Sequence, residues 1–259
     1  MQDEFHECDL FLMTSHRGYY ANSALAEFAR RGQRNINGWG IGSFKDGKAN
    51  VIRSSDAALS PSIAGEDLSR EFNVAIQTVS TDVILGHLRL ASRGATNKLN
   101  NHPFQLPFLG YDWLLIHNGT ARKNLQLVPN DQWLITDSNS DTPRVFEYLR
   151  RKAIDYFESS PKKSLIEALR SAYTSLLSED SDGSFNLILS NGYLSVAFIQ
   201  RRPFHLLRRE KDQGDAVLLS TLRLSKEEDW VEFKPSRRKH AKMLVFSGPT
   251  LIFNGDIPR

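Results

Sequence analysis

The sequence predicts an α+β protein, a layered sandwich in which antiparallel sheets are covered by helices. Two observations carry this. Short apolar runs rich in branched and aromatic residues, joined by hairpin-like turns, recur along the 259 residues, and helical periodicity is grouped in a few blocks rather than alternating with strands. Regular alternation would indicate a parallel sheet, whereas hairpin-linked strands with grouped helices indicate antiparallel sheets with helices on their faces. No repeat, low-complexity tract or linker divides the chain, so one large domain is expected.

Leu10-Phe11-Leu12-Met13 reads as a first strand behind a short polar leader. Ala21–Arg31 places Ala21, Ala24, Leu25, Phe28 and Ala29 at helical spacing, with Asn22 or Ser23 near its start and Gly32 at its end. The alternating glycines of Asn37–Phe44 are not a phosphate loop, because no helix or Lys-Ser/Thr follows them; the stretch reads as a strand whose glycines admit another backbone or a ligand. The charged turn Lys45-Asp46-Gly47-Lys48 returns it into Ala49–Arg53. Pro61–Val79 shows helical patches at Ile63–Ala64 and at Leu68, Phe72, Ala75, Ile76 and Val79.

Val83–Leu90 and Trp113–His117 read as buried strands, each ending on polar residues: Arg89 and then Ser92-Arg93-Gly94 in the first case, His117-Asn118-Gly119 in the second. Between them Asn97–His102 is a polar loop, and Pro103–Tyr111, with two prolines and a glycine, reads as an irregular wall for a pocket. Asp141 opens a helix with Val145, Phe146, Leu149, Ala153 and Phe157 on one face and Pro143 in its first turn. Ser160-Pro161 starts another, with Leu165, Ala168, Leu169, Ala172 and Leu176 inward. Then come strands only: Phe185–Leu189, the turn Ser190-Asn191-Gly192, Tyr193–Ile199, Phe204–Arg208, Ala216–Ser220, Met243–Phe246 and Leu251–Phe253.

Composition narrows the function classes. The net charge of +3 is small, the basic residues come in scattered pairs, and the densest run, Arg237-Arg238-Lys239-His240, lacks interleaved aromatics, so no nucleic-acid partner is expected. No apolar run approaches the ~20 residues of a membrane span, and the acidic start MQDEFHE is unlike a signal peptide; a cytoplasmic protein with no membrane partner is expected. The single cysteine, Cys8, excludes an intramolecular disulfide and argues against a Cys-based zinc site; no metal or cofactor is expected. Three candidates have two readings each. Cys8 is a nucleophile or a small buried hydrophobe. Asn118-Gly119 is an anion hole, with an amide beside a sterically open N–H, or the turn of a hairpin, the more frequent meaning of that dipeptide. Asp141 is a ligand group or a helix N-cap.

Cys8-Asp9-Leu10-Phe11, Asn37-Gly38-Trp39-Gly40-Ile41-Gly42, His87–Gly94, Asn101-His102-Pro103-Phe104, His117-Asn118-Gly119 and Ser140-Asp141-Thr142 together resemble, in order and approximate spacing, the type 2 glutamine amidotransferases. The chain is most similar to their small stand-alone members, over nearly its whole length after Cys8. The resemblance implies the four-layer α/β/β/α sandwich of N-terminal nucleophile hydrolases, formed by two antiparallel sheets. It also implies roles. Cys8 is the nucleophile that forms a γ-glutamyl thioester, with its own free α-amine as base. Asn118 and Gly119 form the oxyanion hole, Arg89 holds the substrate α-carboxylate, and Asp141 accepts its α-ammonium. The implied substrate is glutamine or another γ-glutamyl small molecule, with a separate synthase subunit as a partner for ammonia donors.

Several positions depart from the family pattern. Leu90, Ser92 and Arg93 stand where many relatives have Trp, Thr and His, and Pro143 where Glu is common. His87 and His102 are expected to be architectural, as hydrogen-bonding struts. Seven residues precede Cys8, and while Glu7 is joined to it there is no α-amine. Two hypotheses follow: an enzyme activated by loss of a 1–7 leader, leaving a single domain over 8–259, or an unprocessed, catalytically silent binding or partner subunit of the same fold.

Overall fold

A computed structural model of the chain describes residues 7–62, 65–91, 97–123, 125, 140–159, 164–209, 215–237 and 240–258. Met1–His6, Ile63–Ala64, Ser92-Arg93-Gly94, Ser160-Pro161 and Arg238-Lys239 lie outside the described residues.

The strands are β1 (Asp9–Tyr19), β2 (Trp39–Lys45), β3 (Lys48–Ser54), β4 (Leu59–Ser62), β5 (Gly65–Leu68), β6 (Thr81–Leu88), β7 (Phe104–Phe108), β8 (Tyr111–Thr120), β9 (Ser184–Ser190), β10 (Leu194–Ile199), β11 (Phe204–Arg209), β12 (Ala216–Ser220), β13 (Val231–Phe233), β14 (His240–Ser247) and β15 (Thr250–Pro258). The helices are α1 (Asn22–Arg31), α2 (Arg70–Thr78), α3 (Thr142–Glu158) and α4 (Leu165–Glu179). One sheet has the order β13-β11-β12-β1-β6-β2-β3, the other β15-β14-β10-β9-β8-β7. Every pairing in both is antiparallel.

Side-chain alternation builds the four layers. Successive residues of a strand face opposite sides, so Leu10 and Leu12 of β1 meet Leu114 and Ile116 of β8 and Leu244 and Phe246 of β14 in a core between the sheets. Phe11 and Met13 face the other way, into a core with Ala24, Leu25 and Phe28 of α1 and Phe72 and Ile76 of α2. Trp113, Leu115, Leu187 and Leu189 point outward beneath α3 and α4, where Val145, Phe146, Leu149, Ala168, Leu169, Ala172 and Leu176 complete the third core. The α/β/β/α sandwich expected from the sequence is therefore observed.

Two local expectations are corrected. Leu68 does not belong to a helix: it ends β5, which pairs with β4 from Leu59↔Leu68 to Ser62↔Gly65. The helix starts two residues later, at Arg70, because the Ser69 side chain accepts the Phe72 N–H at 3.3 Å and so caps it. Pro103–Tyr111 is not irregular but mostly a strand and a tight turn, with Phe108 paired to Tyr111 across Leu109 and Gly110, both at positive φ. Pro107 is tolerated there because β7 is the edge of its sheet. The second amphipathic helix begins at Leu165, fixed by a reciprocal capping box between Ser164 and Glu167.

Candidate active site

Cys8 precedes β1 at the end of the inter-sheet space. Its Sγ lies against the peptide of Leu90, just past the end of β6: the Leu90 N–H donates to Sγ at 3.4 Å and the thiol donates to the Leu90 carbonyl at 3.5 Å. The polypeptide here is held by the two residues just before β2, since the Arg89 N–H donates to the Gly38 carbonyl at 2.9 Å and the Asn37 N–H to the Arg89 carbonyl at 3.0 Å. The Asn37 side chain also accepts the Ala91 N–H at 2.9 Å. Glycine is required in β2, as expected from the sequence: a Cβ on Gly40 would lie 1.8 Å from the His102 carbonyl oxygen.

Burial pushes the Cys8 thiol up to about 11; the Leu90 N–H and Arg89 favour the thiolate, while Asp9 and Glu7 oppose it. A thiol so placed is almost wholly protonated near neutrality and needs a base to react. Burial also lowers the Arg89 guanidinium from its ordinary value, with the Cys8 side chain opposing the shift.

The Cys8 carbonyl is bound from two sides. The Asn118 side-chain amide donates to it from the end of β8, and Arg202 Nη1 donates at 3.2 Å from the turn after β10. Arg202 also pairs through Nη2 with Asp9 Oδ1 at 2.7 Å. Asp9 is enclosed further: Thr221 Oγ1 donates to Oδ1 at 2.8 Å and Asn35 Nδ2 to Oδ2 at 2.7 Å. Its carboxyl is raised by burial, against the pull of Arg202 and these donors. Asn35 Nδ2 also reaches the Glu7 carbonyl at 3.3 Å, so one amide spans the residues on either side of Cys8.

Asn118 and Gly119 do not form a hairpin turn. They lie inside β8, paired with Asn186 and Phe185 of β9. Gly119 has φ of 149°, and a Cβ there would lie 1.9 Å from the Ser184 carbonyl oxygen, so glycine is demanded by both conformation and space. Asp141 occupies the N-cap position of α3 without a side-chain cap bond. Its Oδ2 instead accepts the Ala121 N–H at 2.6 Å, just beyond β8. Buried Asp180 fixes the next two residues, accepting the Arg122 and Lys123 N–H groups at 2.6 and 2.9 Å. Asp141 is thus tied to the segment that follows Asn118 and Gly119.

His87 and His102 are struts, as expected, but they belong to a longer chain of contacts that includes His117 and Thr142. His87 Nε2 lies 2.7 Å from His102 Nδ1, and His102 Nε2 lies 2.9 Å from Thr142 Oγ1. Burial, reinforced by Arg89, pushes His87 down to about 3; burial and the neighbouring imidazoles hold His102 well below the usual histidine range. Among the described residues no group of three or more His, Cys, Asp or Glu side chains is placed to hold a metal ion, and no helix is long and apolar enough to cross a membrane.

The geometry thus brings Cys8, Arg89 and Asn118 together and links Asp141 to them through the backbone after β8. Sequence reasoning missed Arg202, Asn35 and Thr221. Arg202 stood in one of the scattered basic pairs, Arg201-Arg202; in the structure Asn186 shapes its turn, with Oδ1 accepting the Gln200 and Arg201 N–H groups and Nδ2 donating to the Arg202 carbonyl.

Comparison with known proteins shows the family to which the chain belongs. The family model described as class-II glutamine amidotransferases matches residues 7–247. A candidate glutamine amidotransferase of Haemophilus influenzae is 28% identical over 221 residues, covering 76% of this chain and 70% of that protein. An uncharacterized protein of Methanocaldococcus jannaschii is 24% identical over 275 aligned residues, covering 95% and 71%. Among solved structures, a predicted glutamine amidotransferase from Pseudomonas aeruginosa superposes with a TM-score of 0.59 at 16% identity, covering 95% of this chain and 100% of that one. The glutamine phosphoribosylpyrophosphate amidotransferase of Bacillus subtilis gives 0.64 at 17% identity, covering 97% of this chain and 49% of that longer one. At these identities the structural likeness is one of fold. The family match spans most of the chain, which therefore belongs to the class-II glutamine amidotransferases.

Proposed function

We propose that the protein releases ammonia or an amine from a γ-glutamyl group, glutamine being the simplest substrate, with Cys8 as nucleophile. The observation that carries this reading is the convergence on Cys8: its Sγ meets the Arg89–Leu90 strand end, and its carbonyl is held by the Asn118 amide. In the reaction, Sγ bonds to the γ-carbonyl carbon, the carbonyl oxygen takes up negative charge, and the C–N bond breaks as the amine leaves with the thiol proton. Water then cleaves the thioester and regenerates the thiol. Asn118 Nδ2 carries two hydrogens, so one can hold the Cys8 carbonyl while the other meets the developing oxyanion beside the Gly119 N–H. Arg89 takes the substrate α-carboxylate as a planar, charge-assisted partner. Asp141 keeps one oxygen on Ala121 and offers the other, on a partly exposed side chain, to the α-ammonium.

A thiol raised to about 11 requires a base, and the α-amine of Cys8, once Met1–Glu7 is lost, has an unperturbed pKa of ~7.7–8.0 suited to that role. The second reading, a silent subunit that keeps the leader, draws its support from the Glu7 carbonyl held by Asn35 beside a half-buried thiol. The test is turnover of glutamine and a panel of γ-glutamyl amides by protein whose N-terminus is verified at Cys8 by intact mass, with Cys8→Ala as control. Release of the amine together with glutamate, absent in Cys8→Ala, supports the enzyme; no release from any substrate by the processed protein refutes it. A separate synthase that accepts the ammonia belongs to the same proposal and is tested by co-purification.

A further inference from the structure

His87, His102, Thr142 and His117 come from β6, the loop before β7, the start of α3 and β8, and all four are buried. Their polar atoms form one unbroken chain: His87 Nε2 to His102 Nδ1 at 2.7 Å, His102 Nε2 to Thr142 Oγ1 at 2.9 Å, Thr142 Oγ1 to His117 Nδ1 at 3.0 Å, and His117 Nε2 to the Ser184 carbonyl at 3.1 Å. The carbonyl end sets the direction. Because a carbonyl only accepts, His117 must carry its hydrogen on Nε2, which leaves Nδ1 of the neutral ring as an acceptor. The single Thr142 hydrogen therefore goes to His117, so Thr142 accepts from His102 Nε2–H. His102 Nδ1 is then an acceptor, and His87 Nε2–H is its donor. Ser140 Oγ, 3.4 Å from Thr142 Oγ1, meets the remaining lone pair of that hydroxyl.

The reverse direction has a chemical requirement. If His87 Nδ1 donated toward the nearby His117 carbonyl, the three bonds from His87 to His117 would invert, and His117 would need hydrogens on both nitrogens to donate to Thr142 while keeping its bond to the Ser184 carbonyl. That is an imidazolium, one proton more than the neutral chain. The charged groups that face the chain, Arg53 and Arg89, are both cations and disfavour it. In the neutral chain His87 Nδ1 carries no hydrogen and makes no bond to the nearby His117 carbonyl, in keeping with the lack of a hydrogen bond of good geometry at that nitrogen.

We propose that this chain is a one-way neutral relay, with the Thr142 hydroxyl as hub and all three imidazoles held as Nε2–H tautomers, that positions Asn118 and Asp141 relative to each other. The positioning follows from sequence adjacency: His117 immediately precedes Asn118, and Thr142 immediately follows Asp141. One hydroxyl therefore joins the strand that bears the oxyanion donor to the helix start that bears the carboxylate. The four residues are positioning residues, not catalytic ones, and the part of the inference that concerns activity rests on the function proposed above.

Two experiments test it. Long-range ¹H–¹⁵N correlation spectra of histidine-labelled protein, with assignments from single His→Gln variants, should show His87, His102 and His117 as Nε2–H tautomers, with His87 and His102 neutral throughout pH 6–8. A Nδ1–H tautomer or an imidazolium at any of the three overturns the relay. In protein starting at Cys8, Thr142→Val should lower kcat/KM for glutamine by at least about tenfold, the scale of one lost buried hydrogen bond, with both kcat and KM affected, and Thr142→Ser should restore it to within about threefold. Equal activity of the Val and wild-type proteins, or a Ser variant as impaired as Val, refutes the positioning role. The spectra do not depend on turnover, so a processed wild type without activity would sink the functional proposal while the relay is still decided; they also decide it if Thr142→Val does not fold.

Discussion

Acidification should weaken this fold through His87 and His102. Burial holds His87 at about 3 and His102 well below the ordinary value, whereas in the unfolded chain both titrate near ~6.5. A folded pKa below the unfolded one means that the unfolded state binds more protons. The stability is thus complete above pH ~6.5 and is lost as the pH falls toward the folded values. At pH 5.5 each unfolded imidazole gains ~1.4 kcal/mol from protonation, so the two together remove ~2.8 kcal/mol relative to pH 7.5. Against a typical total of ~5–15 kcal/mol this is a large share. The assay is urea unfolding at both pH values for the wild type, His102→Gln and His87→Gln. The substitutions lower stability at every pH, but the informative quantity is the difference between the two pH values, from which the other histidines cancel. Each variant should show a pH effect smaller than wild type by ~1.4 kcal/mol. A reduction under ~0.5 kcal/mol in both variants would refute the reasoning, because it would mean that these imidazoles take up protons in the folded state.

Three further outcomes follow from the same geometry. Gly119→Ala places a Cβ 1.9 Å from the Ser184 carbonyl at φ of 149°, whereas Gly110→Ala, at φ of 80°, has nothing within 4 Å; thermal unfolding should show the first losing more than ~3 kcal/mol and the second ~1 kcal/mol, and equal losses would contradict the close approach of β8 to β9. Alkylation of Cys8 by iodoacetamide in chain that retains Glu7 should keep accelerating up to about pH 11, following the raised thiol; a plateau near the ordinary ~8.5 would show the thiol to be unburied. In protein starting at Cys8, Asn118→Ala should lower kcat for glutamine by ~10²–10³-fold with a smaller change in KM, and near-normal kcat would remove Asn118 from the oxyanion hole.

Much of the architecture was legible because it is written at short range. The continuous apolar run Leu10–Met13 marks a strand buried on both faces and the period-3.6 spacing from Val145 to Ala153 a helix with one buried face, and that is enough to choose strands, helices and a layered α+β class. The candidate residues Cys8, Arg89, Asn118, Gly119 and Asp141 were legible as residue types at strand and helix ends, through a resemblance that depends on their order. Even so, local signals misled where tertiary pairing outweighed them. Pro103–Tyr111 looks irregular until the edge position of β7 makes Pro107 harmless. Asn118-Gly119 has the composition of a turn but lies inside β8, because β9 supplies a partner for each residue.

What only the tertiary structure decided is which distant groups share a space. Arg202 reaches the Cys8 carbonyl across 194 positions and Thr221 reaches Asp9 across 212, and neither contact has a signature in the neighbouring sequence. The same holds for Thr142, an ordinary first residue of a helix until the sheets bring His102 and His117 to either side of its hydroxyl. The physical reason is that backbone periodicity and capping act over a few residues, whereas a buried polar atom must find its partner wherever the packing of layers puts one, since leaving it unpaired costs ~1–3 kcal/mol.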